Sequence, residues 1–171
     1  MSQRYAGVKT LAEIDWATWE AVDRATLTFV IDGDQILLIR KKRGLGAGKI
    51  NGPGGKLDPG ETPEACAVRE CEEEVGITPT DLSYMGQNLF QFTDGYSIHV
   101  WTYLSRSHSG TAIETDEALP LWVPLDAIPY EEMWVDDELW LPPALAGKTF
   151  MGRWIFEGDV YLDHALETFD R

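Results

Sequence analysis

The chain has 171 residues, 44% of them hydrophobic, and sets 14 basic against 29 acidic side chains for a net charge of −15. That length suits one domain with a sizeable core, and the charge argues against binding polymeric nucleic acid, which needs a basic surface to release counterions. No apolar run is long enough to span a bilayer or to form the core of a leader peptide, so a soluble cytoplasmic protein without a membrane partner is expected.

From the amino end, Thr10 with Glu13 makes a capping-box pattern that predicts a short helix through Glu20, with Ile14, Trp16 and Trp19 nearby. Residues 1–24 are read as an extension carrying that helix, ahead of a main domain over 25–171. Ala25 to Ile31 and Gln35 to Arg40 read as two strands turned by Asp32-Gly33-Asp34, a hairpin. Asn51-Gly52-Pro53-Gly54-Gly55 follows as a loop whose glycines let backbone groups approach a ligand closely.

The next helix is the most strongly marked element. Thr62-Pro63-Glu64 supplies a hydroxyl cap, a first-position proline and an acid in the first turn, and Gly76 supplies the stop. At 3.6 residues per turn, Glu70, Glu73 and Glu74 project from one side. Ala67, Val68, Cys71 and Val75 fall on a neighbouring side that can pack on a sheet. Like charges at this spacing destabilise a bare helix by a few tenths of a kcal/mol per pair. A hard divalent cation, Mg²⁺ or Mn²⁺, would offset that repulsion, and such ions share carboxylates with substrate phosphates. The alternative is a solvated acidic face; the glycine loop just upstream, whose carbonyls can join a metal shell, favours the cation. Cys66 and Cys71 are five apart and point to different sides, so no disulfide between them is expected, in keeping with a reducing compartment.

Leu89 to Thr93 and Tyr96 to Ser105 suggest a further strand pair, followed by a strand at Leu121 to Pro124. A later helix is expected to start near Trp140 or Pro142, and a closing hairpin over Trp154 to Tyr161 to turn at Glu157-Gly158-Asp159. The sum is a mixed α/β domain. His99, His108 and His164 are scattered without metal spacing, so zinc is not expected.

Gly55, Glu61, Arg69-Glu70, Glu73-Glu74 and Gly76-Ile77 fall on the defined positions of the Nudix signature; only Cys71, where an aliphatic residue is usual, departs from it. The chain therefore resembles the Nudix hydrolases. Lys41-Lys42-Arg43-Gly44-Leu45-Gly46-Ala47-Gly48, Asn51, Met133-Trp134-Val135-Asp136-Asp137 and Trp140 bring it nearest to the branch of the animal MutT homologues, the sanitising hydrolases of oxidised purine nucleoside triphosphates. The resemblance implies a Nudix fold, an α/β/α sandwich with a mixed β-sheet. It also implies a Mg²⁺-dependent pyrophosphohydrolase, with Mn²⁺ able to substitute, that cleaves a triphosphate such as 8-oxo-dGTP or 2-hydroxy-dATP to monophosphate and pyrophosphate. A monomer is expected, with a dimer as the alternative.

Candidate site residues divide into two groups. For the chemistry, Glu70 and Glu74 are the expected direct ligands, with Glu73 supporting them or a second cation and the Gly54 carbonyl completing the site. The resemblance adds Glu117 from a separate loop as a ligand or water-orienting base. Arg69 is assigned to orienting the carboxylates through Glu61 or Glu73, and Gly54, Gly55 and Lys56 are counted with the substrate-binding residues. For the base, Asn51 offers a donor and an acceptor and Trp134 a stacking surface. Asp136 and Asp137, adjacent acids near a buried aromatic, are expected to repel each other so that one stays protonated and both donates and accepts. The competing view makes Trp134 and Trp140 core aromatics and the two acids mere caps. By the resemblance, Thr26 and Lys41 line the base or sugar pocket. Leu45 and Pro53, aromatic in that branch, and Val135, a proline there, put the choice of substrate in doubt. The alternatives are another nucleotide, such as a pterin triphosphate or a methylated purine nucleotide, and a module that senses nucleotides without cleaving them.

Overall fold

The computed structural model describes residues 4–171. In chain order its main elements are β1 (Asp23–Asp32), β2 (Gln35–Lys41), β3 (Ile50–Asn51), β4 (Gly54–Lys56), α1 (Pro63–Val75), β5 (Thr78–Thr80), β6 (Ser83–Phe92), β7 (Ser97–Ser105), β8 (Ser107–Ser109), β9 (Ala118–Pro124), α2 (Asp137–Leu145), β10 (Thr149–Glu157) and β11 (Val160–Phe169). Contacts group the chain into two units, one of Thr26–Tyr84 with Thr102–Trp134, the other of Met1–Ala25, Met85–Trp101 and Val135–Arg171.

In the first unit, β2 is the organising strand. Ile36, Leu37, Leu38 and Ile39 are all buried, the continuous apolar run expected of a strand covered on both faces. It pairs antiparallel with β1 through Ile31↔Ile36 and Asp32↔Gln35, leaving Gly33-Asp34 as a two-residue turn, and with β9 from Gln35↔Pro124 to Lys41↔Ala118. Helix α1 lies against this sheet: Val75 and the following Ile77 pack with Val30, Leu37, Ile39 and Ala118. Each of these valine, leucine and isoleucine side chains taken from water contributes about 1.5–3 kcal/mol. The ends of α1 are set by the residues that predict them. Thr62 Oγ1 accepts from the Ala65 amide at 3.2 Å, and Gly76 stops the helix in the left-handed region at φ 74°. Cys71 is fully buried, a small hydrophobe in the slot of an aliphatic residue. Cys66 and Cys71 are both free thiols.

In the second unit, β10 pairs antiparallel with β11 and parallel with β6, so its sheet is mixed. On one face Trp140 of α2 stacks on Phe150 at 4.8 Å, and Trp154 Nε1 donates to Asn88 Oδ1 at 2.8 Å. Ile155 packs with Val8 and Ile14, flanked by Tyr5, Leu11, Trp16 and Trp19. The amino-terminal segment is therefore a fitted layer over the sheet. Its Leu11 amide donates to Asp163 Oδ2 at 2.8 Å, and Trp19 Nε1 donates to Gln91 Oε1 at 2.9 Å.

Three expectations need correction. The helix through Glu20 is only a 3₁₀ turn over Leu11–Glu13. Asp15 accepts from the Ala17 amide at 3.2 Å and the Thr18 hydroxyl at 3.0 Å, so its side chain turns the chain where a helix would continue. Helix α2 starts at Asp137, with Pro142 and Pro143 in its second turn instead of at its start. The closing hairpin is also longer than Trp154 to Tyr161, because mostly solvated β11 alternates too weakly for its ends to be read.

Candidate active site

The helix spacing that predicts one acidic side delivers two of its three glutamates to one point. Carboxylate oxygens of Glu70, Glu74 and Glu117 lie within 4.8 Å of one another. Glu74 is only 3% exposed. Its Oε1 accepts from the Gly54 amide at 2.8 Å, so Gly54 reaches this group as an amide donor, where its carbonyl is expected as a ligand. A Cβ on Gly54 would overlap the Thr26 carbonyl, and one on Gly55 would overlap the Glu70 carboxylate. The glycines of the loop are there because backbone and carboxylate meet without room for a side chain.

Burial pushes the Glu74 carboxyl up to about 7, against the Gly54 amide, which favours its charged form; the negative charges of Glu70 and Glu117 push it further and Lys41 pulls it down. Glu70 is likewise raised by burial, partly countered by Arg69. Desolvation lowers the ammonium of Lys41, while the acids Glu74, Glu70 and Glu117 hold it charged. Its Nζ donates to the Leu45 carbonyl at 2.8 Å. Crowded oxygen donors of one sign, two of the three largely buried, fit a hard divalent cation, and the group contains no His or Cys that would favour zinc.

Glu73 stands apart. It is 54% exposed and pairs with Arg69 at 3.1 Å, outside the three-acid group. Arg69 joins the acids in a chain: it grips Glu61 with two bonds of 2.7 and 2.8 Å, donates to Glu70 Oε1 at 2.7 Å and to the Lys56 carbonyl at 3.1 Å. The paired guanidinium draws Glu61 down to about 2, and Glu61 in turn raises Arg69, which stays protonated. Both expected partners, Glu61 and Glu73, are thus present. The Lys56 side chain is exposed.

Glu117 comes from the loop before β9, 37% exposed and 3.3 Å from Arg43. That loop is laid on the carbonyl end of α1: the Ile113 amide donates to Val75 O at 2.9 Å, and the Thr115 hydroxyl to Glu74 O at 2.6 Å. Lys42 ties its other side through Glu114, the Thr115 carbonyl at 2.8 Å and the Glu117 carbonyl at 3.0 Å. Sequence reasoning gives neither Thr115 nor Lys42 a role, although Lys42 falls in the stretch that carries the resemblance. Their signal, a hydroxyl two residues before an acid and a lysine beside Lys41, is too common to stand out.

The residues expected at the base are placed as follows. Thr26 is 1% exposed, with its hydroxyl against the Cys66 thiol at 3.3 Å, so it faces α1. Asn51 is half-buried and its Oδ1 accepts from the Gly52 amide at 3.0 Å. Trp134 is half-buried, not core; it lies so close over Gly46 that a Cβ there would sit 2.8 Å from its Nε1, and Lys49 Nζ stands 5.2 Å from its ring centre. In the other unit Asp136 and Asp137 are both buried, at 2% and 3% exposure, and Asp136 Oδ2 accepts from Trp140 Nε1 at 2.8 Å. Burial raises the Asp136 carboxyl above its ordinary range, against the pull of the Trp140 hydrogen bond. Trp140 itself, 1% exposed, is a core aromatic.

Three comparisons with known proteins agree. The model of the NUDIX domain matches residues 22–143. A zebrafish (Danio rerio) protein named oxidized purine nucleoside triphosphate hydrolase is 42% identical over 146 residues, covering 83% of this chain and 92% of that one. Its mouse (Mus musculus) counterpart is 39% identical over 147 residues, covering 85% and 94%. Among solved structures, a MutT protein of Bacillus halodurans aligns with a TM-score of 0.76 at 25% identity, over 85% of this chain and 98% of that one.

Proposed function

Because the chain belongs to the NUDIX family of hydrolases and has the mixed α/β architecture of that fold, we propose that it hydrolyses oxidised purine nucleoside triphosphates, such as 8-oxo-dGTP or 2-hydroxy-dATP, to monophosphate and pyrophosphate with Mg²⁺. The observation that carries this reading is the convergence of the Glu70, Glu74 and Glu117 carboxylates within 4.8 Å, in a chain 42% identical to a protein named for that activity. A sensor that only bound nucleotides would have no use for three crowded acids, two of them largely buried.

In this reading Glu70, Glu74 and Glu117 hold the cation, with Mn²⁺ able to replace Mg²⁺ and the Gly54 carbonyl adding to the shell. When bound, the cation shields the phosphate oxygens and makes water a better nucleophile at neutral pH. The protein does the rest. Arg69, fixed by Glu61, holds the Glu70 carboxylate in place, and Glu73 supports that pair from the solvent side. Lys56 with Gly54 and Gly55 takes the phosphate end, and Lys41, held charged by the nearby acids, is assigned to the base or sugar pocket. A carboxylate of the group accepts the proton of the attacking water as the new phosphorus–oxygen bond forms, the anhydride bond breaks and pyrophosphate leaves. For the base, Asn51 and Trp134 are assigned to its edge and its face. Asp136 and Asp137 are assigned to reading its oxidised edge, which one protonated carboxyl makes tolerant of either donor pattern. Thr26 supports Cys66 and the loop behind the site.

The test is pyrophosphate release from 8-oxo-dGTP, 2-hydroxy-dATP, the four ordinary dNTPs, a pterin triphosphate and a methylated purine nucleotide. Preference for the two oxidised nucleotides is expected. Equal turnover of all, or preference for one of the last two, contradicts the substrate assignment while leaving the chemistry standing.

A further inference from the structure

We propose that Thr115 is a positioning residue that sets where Glu117 stands relative to Glu74 and thereby tunes cation affinity. This rests on the reading of Glu117 as a cation ligand. The last carbonyls of any helix have no partner within it and must find donors elsewhere. In α1 the Glu72 carbonyl takes the Gly76 amide, the Val75 carbonyl takes the Ile113 amide at 2.9 Å, and the Glu74 carbonyl takes the Thr115 hydroxyl at 2.6 Å. The same hydroxyl oxygen accepts from the Glu117 amide at 3.2 Å. One oxygen therefore links the backbone of one acid of the group to the backbone of another.

The surrounding chain makes this link short and stiff. Gly110 approaches the Gly76 carbonyl so closely that a Cβ would collide with it, and Ile113 packs beside Gly76, so the loop follows the end of α1 from Gly110 onward. The Thr115 amide closes back on the Ala118 carbonyl at 3.0 Å, which makes 115–118 a tight turn with Glu117 at its crest. Glu117 is the one acid of the group that does not come from α1, so its distance to the others is set by this loop, which Lys42 holds from the other side through the Thr115 and Glu117 carbonyls. The hydroxyl of Thr115 is the connection that reaches both.

Removing the hydroxyl leaves a carbonyl and an amide without their shared partner and frees the crest of the turn, while the carboxylates themselves stay. Outer partners of metal ligands typically cost ten- to a hundredfold in metal affinity when lost. The experiment is calorimetric titration of the full chain with MnCl₂, without nucleotide, for wild type, Thr115→Val, Thr115→Ala, Thr115→Ser, Glu117→Gln, and Glu117→Gln combined with Thr115→Val. Roughly tenfold weaker binding is expected in the Val and Ala variants, near-wild-type binding in Ser, and no added loss from Thr115→Val once Glu117 is already Gln. Unchanged binding in Val and Ala beside a weakened Glu117→Gln overturns the positioning role alone. A loss that persists undiminished in the double variant, or failure of both the Val and Ala variants to fold, makes the hydroxyl a general structural group and also overturns it. Wild-type binding in Glu117→Gln removes the ligand assignment beneath, and the positioning role with it.

Discussion

His99 shows how one residue carries a pH dependence. It stacks on Trp101 at 3.8 Å, faces Trp19, pairs with Gln87 at 2.5 Å and lies within reach of the positive charge of Arg24. Burial first, then Arg24, lowers it to about 4. A histidine depressed below its usual value near 6.5 stays neutral in the fold, so its contribution is whole above pH 6.5 and is lost as pH falls toward 4. The stake is at most about 3 kcal/mol. Thermal melts from pH 7.5 to 4.5 should therefore show wild type losing more stability than His99→Gln; parallel curves would mean the ring titrates freely. At the acidic group, Gly55→Ala drives a methyl into the Glu70 carboxylate. It should lower turnover at least tenfold with little change in melting temperature, since the space it invades belongs to the site and not to the core.

At the level of elements, α1 was legible almost to the residue because each of its signals is local: a capping threonine, a first-turn proline, a left-handed glycine and a 3.6-residue apolar stripe. The β1–β2 hairpin was legible for the same reason, and so was the face bearing Glu70 and Glu74. The amino-terminal layer was not. Its capping box forms only a 3₁₀ turn, because Asp15 offers the backbone a competing partner and because Leu11, Trp16 and Trp19 are held by residues far along the chain, Asp163 and Gln91 among them. No local pattern encodes such partners. The layer's worth can be measured: Ile14→Ala, which empties a site buried against Val8 and Ile155, should cost about 2–5 kcal/mol in denaturant unfolding. A loss below about 0.5 kcal/mol would mean the segment is a loose appendage. Nor was the docking of the Glu117 loop on α1 readable, since hydroxyl-to-carbonyl bonds across 41 residues leave no periodic trace.

For the molecule as a whole, a net charge of −15 would by itself repel a triphosphate. In the proposed reading the acidic group resolves this by holding a cation, which would reverse the local field where the phosphates are assigned. Chelation with EDTA should accordingly abolish nucleotide binding as well as turnover, whereas a phosphate site built from lysines and arginines alone would keep the binding. The signature residues of the chain and its relatives' names point the same way, and the departures at Leu45, Pro53 and Val135 fall near residues assigned to the base in the proposed reading, so the substrate panel tests that choice. The most direct measurement is phosphorus NMR of 8-oxo-dGTP incubated with the protein and Mg²⁺. The three-acid account predicts monophosphate and pyrophosphate in equal amounts, none after EDTA and essentially none with Glu70→Gln. Intact triphosphate, release of orthophosphate with a diphosphate, or turnover undiminished in EDTA or in Glu70→Gln would contradict it.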